Sequence, residues 1–205
     1  LKALAKMGDD ESPDDLAVLP AYLALAAAHP QWAAPEILAR VDYRRAELAH
    51  RKYIALKLTQ PLPAAVKAKQ ASLENLLALY AQTTEHGVAE YTRASAFGIG
   101  EAITHFGDAL LDSERPAELQ GDDLLAYEEV LDEQSWPFYD RGEAAWTDLL
   151  KQTVGAEEDP GQWLARTRQQ LWPRVAQRFM HMPEAEYPLV AAAPPAARSE
   201  VRNEP

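Results

Sequence analysis

The chain has 205 residues, 47% of them hydrophobic, so it is long enough to bury a domain core and too apolar to be disordered throughout. Its formal net charge of −12 argues against a nucleic-acid-binding surface, because the chain would repel phosphate. The sequence contains no cysteine, which excludes disulfides and thiolate metal sites. No apolar run approaches the roughly 20 residues that a membrane-spanning helix needs.

The first third of the chain predicts three helices separated by proline-containing breaks. A capping serine, a proline and two acids predict that the first helix begins at residue 12 and ends near residue 28. The second is expected over residues 34–59 and the third over residues 64–85. In the third helix, apolar side chains recur at the spacing of one helical face: Leu73, Leu76, Leu77 and Tyr80. Gly87 then suits the left-handed residue that ends a helix.

A fourth helix is predicted over residues 88–112, and it contains an unusual number of glycines. Gly98, Gly100 and Gly107 each cost about 1 kcal/mol relative to alanine inside a helix. Such a cost indicates that a neighbouring helix approaches closely at these positions. The glycines do not match a phosphate-binding loop, because the third glycine and the preceding strand of that motif are missing.

The last third of the chain predicts two helices and a tail. The fifth helix is expected over residues 122–154 with a kink at Pro137, and the sixth over residues 161–179 with a kink at Pro173. Prolines and alternating charges follow, so residues 184–205 are predicted to be an extended tail. Residues 1–183 are expected to form one all-α domain of antiparallel hairpins, stacked as a short tetratricopeptide-like α-solenoid.

Five short segments between residues 87 and 151 carry a resemblance to a known family. They are GVAEY at 87–91, AFGIGE at 96–101, FGDALL at 106–111, YEEVLDEQ at 127–134 and WPF at 136–138. In their order and spacing, the region resembles the carboxy-terminal module of bacterial tetratricopeptide-repeat proteins of the cell envelope. Consensus repeats are not recognisable before Ala64, so the chain is expected to be the end of a longer protein.

The resemblance implies a non-enzymatic helical scaffold without cofactor or metal. Members of this family are encoded near TonB/ExbB/ExbD- or Tol-like motors and gliding machinery. The implied location is therefore the periplasm or the inner face of the outer membrane, and the implied partners are protein components of those complexes.

Aromatic side chains are the candidate partner-binding residues, because a solenoid leaves a groove and aromatic residues anchor interfaces. They are Tyr91, Tyr127, Trp136, Tyr139 and Trp146. The same spacing also suits core aromatics, and we expect only one or two of the five to line a groove.

An α-helical metal- or substrate-handling enzyme is the alternative hypothesis. Glu101 and His105 lie one helical turn apart, and Glu128, Glu129, Asp132 and Glu133 form an acidic cluster. A di-iron bundle would need Glu-x-x-His on two helices, and a zinc protease would need His-Glu-x-x-His. Neither motif is present, so a solvated acidic helix face is the simpler interpretation of the cluster.

Overall fold

The computed structural model describes residues 20–21, 24–29, 34–155, 159 and 161–180, and all regular secondary structure in these ranges is helical. Besides a helical stretch at residues 24–28, it contains α1 (Pro35–Ala55), α2 (Leu62–Thr84), α3 (Ala89–Leu111), α4 (Gly121–Gln152) and α5 (Trp163–Met180). The predicted all-α class is therefore confirmed. The predicted helix start at residue 12 and the predicted tail lie outside the described residues.

Most helix boundaries agree with the sequence within two residues, but α1 ends at Ala55 rather than near Thr59. The segment after Ala55 is extended because it has tertiary partners that a further helical turn would lose. Leu58 is buried in the core, and its carbonyl oxygen accepts a hydrogen bond of 2.9 Å from the backbone N–H of Glu114. Gly87 has φ +69°, as expected for the residue that ends α2.

A buried lysine of α2 donates hydrogen bonds to backbone carbonyl groups at the carboxyl end of α1. Lys69 is 1% exposed, and its Nζ donates to the carbonyl oxygens of Tyr53 at 3.1 Å and Leu56 at 2.7 Å. The ammonium also lies 4.5 Å from the centre of the Tyr53 ring. The Tyr53 carbonyl oxygen also accepts a hydrogen bond of 3.2 Å from the backbone N–H of Leu56. The cation of Lys69 suits the negative end of the helix dipole.

Helix α3 lies at the centre of the packing and contacts α1, α2 and α4. Its Ala102, Phe106 and Leu110 are buried together with Tyr53 of α1 and Leu76 of α2. The chain divides into two compact units, Leu1–Leu171 and Trp172–Pro205. The second unit is described only over residues 172–180, where Trp172 is exposed.

The glycines of α3 are the places where aromatic side chains of other helices lie against its backbone. A Cβ atom at Gly98 would collide with Tyr80 of α2, and one at Gly100 would collide with Trp146 of α4. At Gly107 it would lie 3.0 Å from Tyr139 of α4. The predicted close packing at these three glycines is thus confirmed, with aromatic rings as the approaching groups.

Both prolines predicted to lie inside helices do so, Pro137 in α4 and Pro173 in α5. Each helix continues through its proline. In the described part of the chain, none of the helices combines the length and apolar character that crossing a bilayer requires.

Candidate functional site

An open cavity of about 410 Å³ is lined by side chains of α1, α2, α3 and α5. Its volume lies in the range of small-molecule sites. Helix α1 contributes Tyr43, Glu47, His50, Arg51 and Ile54, and α2 contributes Tyr80; α3 contributes Ala94, Phe97, Gly98 and Glu101, and α5 contributes Trp163, Arg166, Gln169 and Gln170. Arg51, Ile54, Arg166, Gln169 and Gln170 are exposed and form its mouth.

A hydrogen-bonded pair of side chains forms one wall of the cavity. The Tyr80 hydroxyl and His50 Nδ1 lie 2.8 Å apart, with the two rings edge to face. His50 is 9% exposed, and burial lowers its pKa to about 4. The imidazole is therefore neutral at pH 7. Its Nε2 is buried without a hydrogen-bond partner among the described residues.

Two carboxylates and two guanidinium groups line the cavity, those of Glu47, Glu101, Arg51 and Arg166. Burial raises the pKa of Glu101, and the nearby Arg166 guanidinium partly opposes this shift. Burial also raises the pKa of Tyr43 and of Tyr80, and the carboxylates of Glu47 and Glu101 add to both shifts. Glu47 is bonded to Arg44 at 2.8 Å, whereas the positive charge that acts on Glu101 is that of Arg166.

Four aromatic rings follow one another around the cavity, from Tyr80 through Tyr43 and Trp163 to Phe97. The ring centres lie 6.4 Å apart for Tyr80 and Tyr43, 6.3 Å for Tyr43 and Trp163, and 5.6 Å for Trp163 and Phe97. The Arg166 guanidinium lies over the Trp163 ring, 4.7 Å from its centre. A cation is therefore already held against an aromatic face at the mouth.

Two of the five aromatic residues predicted from the sequence lie among the packed helices. Trp146 is 1% exposed, stacks on Phe97 and donates from Nε1 to the carbonyl oxygen of that residue at 3.1 Å. Trp146 is therefore a core residue. Tyr91 is half-buried against Tyr43 and accepts a hydrogen bond of 3.0 Å from Arg40 Nε.

The other three lie along α4. Tyr127 is half-buried, and its buried hydroxyl has no hydrogen-bond partner among the described residues. Tyr139 packs on Gly107, and its hydroxyl donates to Asp108 at 2.8 Å. Trp136 is 54% exposed and lies edge to face with Tyr139.

Trp136 belongs to an exposed strip that we call the α4 face, composed of Leu125, Glu129, Asp132 and Trp136. Leu125 is 64% exposed, and it lies eleven residues before Trp136. Eleven residues correspond to about three helical turns, so the two apolar side chains project on the same side, about 16 Å apart along the helix. The exposed carboxylates of Glu129 and Asp132 lie between them. This surface combines apolar anchors with negative charge.

The residues of the alternative enzyme hypothesis are distributed over separate places. Glu101 lines the cavity, but His105 Nε2 lies 3.3 Å from the carbonyl oxygen of Ile54 and 3.4 Å from Lys69 Nζ. Glu128 is paired with Arg115 at 3.2 Å. In the described ranges, no group of three or more His, Asp or Glu side chains is arranged to hold a metal ion.

Sequence reasoning missed the cavity, although it contains Glu101. Tyr43, His50 and Tyr80 come from two helices, and periodicity alone assigns such residues to an apolar face. Gly98 is the one signal that could have found them, because its missing side chain makes room for the Tyr80 ring.

Comparisons with known proteins place the chain in no family. No family model matches it, and neither curated proteins nor solved structures give a significant match. The geometry of the cavity and of the α4 face is therefore the basis for inferring a function.

Proposed function

We propose that this chain is a non-catalytic protein-interaction module that binds a basic, amphipathic segment of a partner protein through the α4 face. The observation that supports it is the pair of large apolar side chains, Leu125 and Trp136, exposed on one side of a long helix. Exposed tryptophans are frequent anchors of protein interfaces. The carboxylates of Glu129 and Asp132 would pair with lysine or arginine side chains beside the apolar contact.

The proposal includes the setting implied by the family resemblance. The partner would be a component of an energy-transducing or transport complex of the bacterial cell envelope, of the TonB/ExbB/ExbD or Tol type. The helical pairs α1–α2 and α3–α4 would be stacked as in a short tetratricopeptide-like solenoid. An adapter of this kind needs no cofactor.

Site-specific photo-crosslinking in intact cells tests this proposal. A crosslinking amino acid replaces Glu129 in the native full-length protein, and a matched variant carries it at Lys67, an exposed position on α2. We expect crosslinks from position 129 to a lysine- or arginine-rich apolar segment of an envelope component. The same crosslinks should be absent at position 67 and lost when Trp136→Ala is added.

Binding strength gives a second measure. Truncating a tryptophan anchor costs about 2 kcal/mol or more of binding free energy, which is about thirtyfold in Kd. Trp136→Ala should leave the thermal stability nearly unchanged, because the side chain is largely exposed.

Two crosslinking results would contradict the proposal. One is crosslinks confined to cytoplasmic proteins, and the other is identical crosslinks from positions 129 and 67.

A further inference from the structure

The cavity between α1, α2, α3 and α5 offers a site separate from the α4 face. We propose that it binds a small organic cation, such as an alkylammonium group, with the carboxylate of Glu101 as counter-ion and the rings of Tyr43, Phe97 and Trp163 around it. This inference is independent of the proposed protein interaction, because it uses none of the residues of the α4 face.

The aromatic lining of the cavity suits a cationic ligand. Tyr43, Phe97 and Trp163 all line the cavity, and the ring centres of Tyr43 and Phe97 lie 6.3 Å and 5.6 Å from that of Trp163. Aromatic faces attract cations, and several rings around one space are typical of sites for alkylated ammonium groups. The Arg166 guanidinium over Trp163 shows that this wall accepts a positive charge.

The charged side chains of the cavity include a carboxylate that can serve as counter-ion. Glu101 lines the cavity with Arg166 as the positive charge that acts on it, whereas Glu47 is bonded to Arg44. Of the two arginines at the mouth, Arg51 has an interaction of its own, and Arg166 lies over Trp163. The neutral imidazole of His50 does not repel a cation. In the proposed complex the bound cation competes with Arg166 for the Glu101 carboxylate.

This arrangement predicts opposite effects for two variants. Glu101→Gln keeps the shape of the side chain but removes the counter-ion, so a cation should bind more weakly. Arg166→Gln removes a competing positive charge, so the same cation should bind more tightly. An anionic ligand would show the reverse pattern. Glu90→Gln, an exposed change of the same kind on α3, is the matched control.

Isothermal titration calorimetry on the full chain tests the proposal, with choline as the probe and 3,3-dimethylbutan-1-ol as its uncharged isostere. We expect choline to bind with a Kd of about 1 mM or below, at least about tenfold more tightly than the isostere. Glu101→Gln should weaken choline binding about tenfold, Arg166→Gln should strengthen it, and Glu90→Gln should leave it unchanged.

Three results would overturn the proposal. Equal affinity for choline and the isostere would mean that the cavity selects only for apolar shape. An unchanged affinity in Glu101→Gln would mean that this carboxylate is not the counter-ion. Finally, no heat of binding with choline up to about 10 mM would mean that the cavity does not take this class of ligand. Circular dichroism confirms that each variant is folded before titration.

Discussion

At the scale of single residues, Gly98 determines where the Tyr80 ring can lie. A methyl group at position 98 would collide with the hydroxyl end of that ring, whose oxygen is bonded to His50. We expect Gly98→Ala to lower the free energy of unfolding by about 1–3 kcal/mol, because the cost of overpacking exceeds the gain in helix propensity. Urea denaturation monitored by circular dichroism measures the change.

A double-mutant cycle isolates this contact. In a Tyr80→Leu background the ring is gone, so the Gly98→Ala substitution should become neutral or stabilising. If Gly98→Ala destabilises both backgrounds equally, the contact with Tyr80 is not the cause.

The buried imidazole of His50 predicts a loss of stability in acid. The folded chain keeps this ring neutral down to about pH 4, whereas in the unfolded chain it takes up a proton near its ordinary pKa of 6.5. The unfolded state therefore binds more protons between these values, and the free energy of unfolding decreases as pH falls from 6.5 to 4. The expected contribution is about 2–3 kcal/mol.

The variant His50→Gln serves as the reference, because it can keep a hydrogen bond to Tyr80 but does not titrate. The free energy of unfolding, measured at pH 7 and pH 4.5, should decrease more for the wild type than for the variant. Parallel decreases would show that His50 is protonated in the folded state as well. Other acid-sensitive groups, including Glu101, are common to both proteins and cancel in the difference.

At the scale of elements, the start of α5 depends on one aspartate. Both carboxylate oxygens of Asp159 accept backbone hydrogen bonds, from Trp163 at 3.0 Å and from Leu164 at 2.9 Å. We expect Asp159→Ala to cost about 1–2 kcal/mol. Amide hydrogen exchange should become faster over residues 163–171 but not in α2.

The variant Asp159→Asn keeps one acceptor oxygen and should lie between the wild type and Asp159→Ala. Exchange that is unchanged in Asp159→Ala would mean that the packing of Trp163 and Leu164 holds the helix start without its cap. Because Trp163 and Arg166 both come from this part of α5, the cap also maintains one wall of the cavity.

The helices themselves were largely predictable, because their signals are local. Apolar spacing, prolines and Gly87 placed α2 and α3 within two residues of their bounds. The end of α1 was not predictable, since it depends on Lys69 and Glu114, which lie far away in sequence. The cap Asp159 was missed because the sequence around it predicts only an acidic loop.

At the scale of the whole molecule, the net charge of −12 affects how partners associate. A protein this acidic attracts basic partners over a distance comparable to the Debye length. We expect a synthetic helix with lysines on one side and leucines on the other to bind at least about tenfold more weakly at 0.3 M than at 0.02 M salt. Calorimetric titrations at several salt concentrations measure this dependence.

Variants separate the charge of the α4 face from its apolar anchors. Trp136→Ala should weaken binding at every salt concentration by a similar factor, whereas Glu129→Gln with Asp132→Asn should reduce the salt dependence itself. A peptide with glutamate in place of lysine is the control and should not bind. Equal binding of both peptides would contradict a role for the charge.

The cavity required the tertiary structure, because its lining comes from four helices. From the sequence, Glu101 was a candidate functional residue only together with His105, which lies one helical turn away. In the structure the two side chains have different neighbours, because His105 lies against the Ile54 carbonyl near the end of α1, whereas Glu101 lines the cavity together with Tyr43. The exposure of Trp136 and the burial of Trp146 likewise follow from the position of α3 along α4.

The glycines of α3 also have an evolutionary consequence. Each is matched to one aromatic residue elsewhere in the chain: Gly98 to Tyr80, Gly100 to Trp146 and Gly107 to Tyr139. Substitution of either member alone leaves a collision or a void, so each pair should be inherited as a unit. Distant descendants of the same ancestor are then expected to show correlated replacements, with a larger residue on α3 accompanied by a smaller one opposite it. Such paired changes would identify relatives of this protein even where overall similarity has faded.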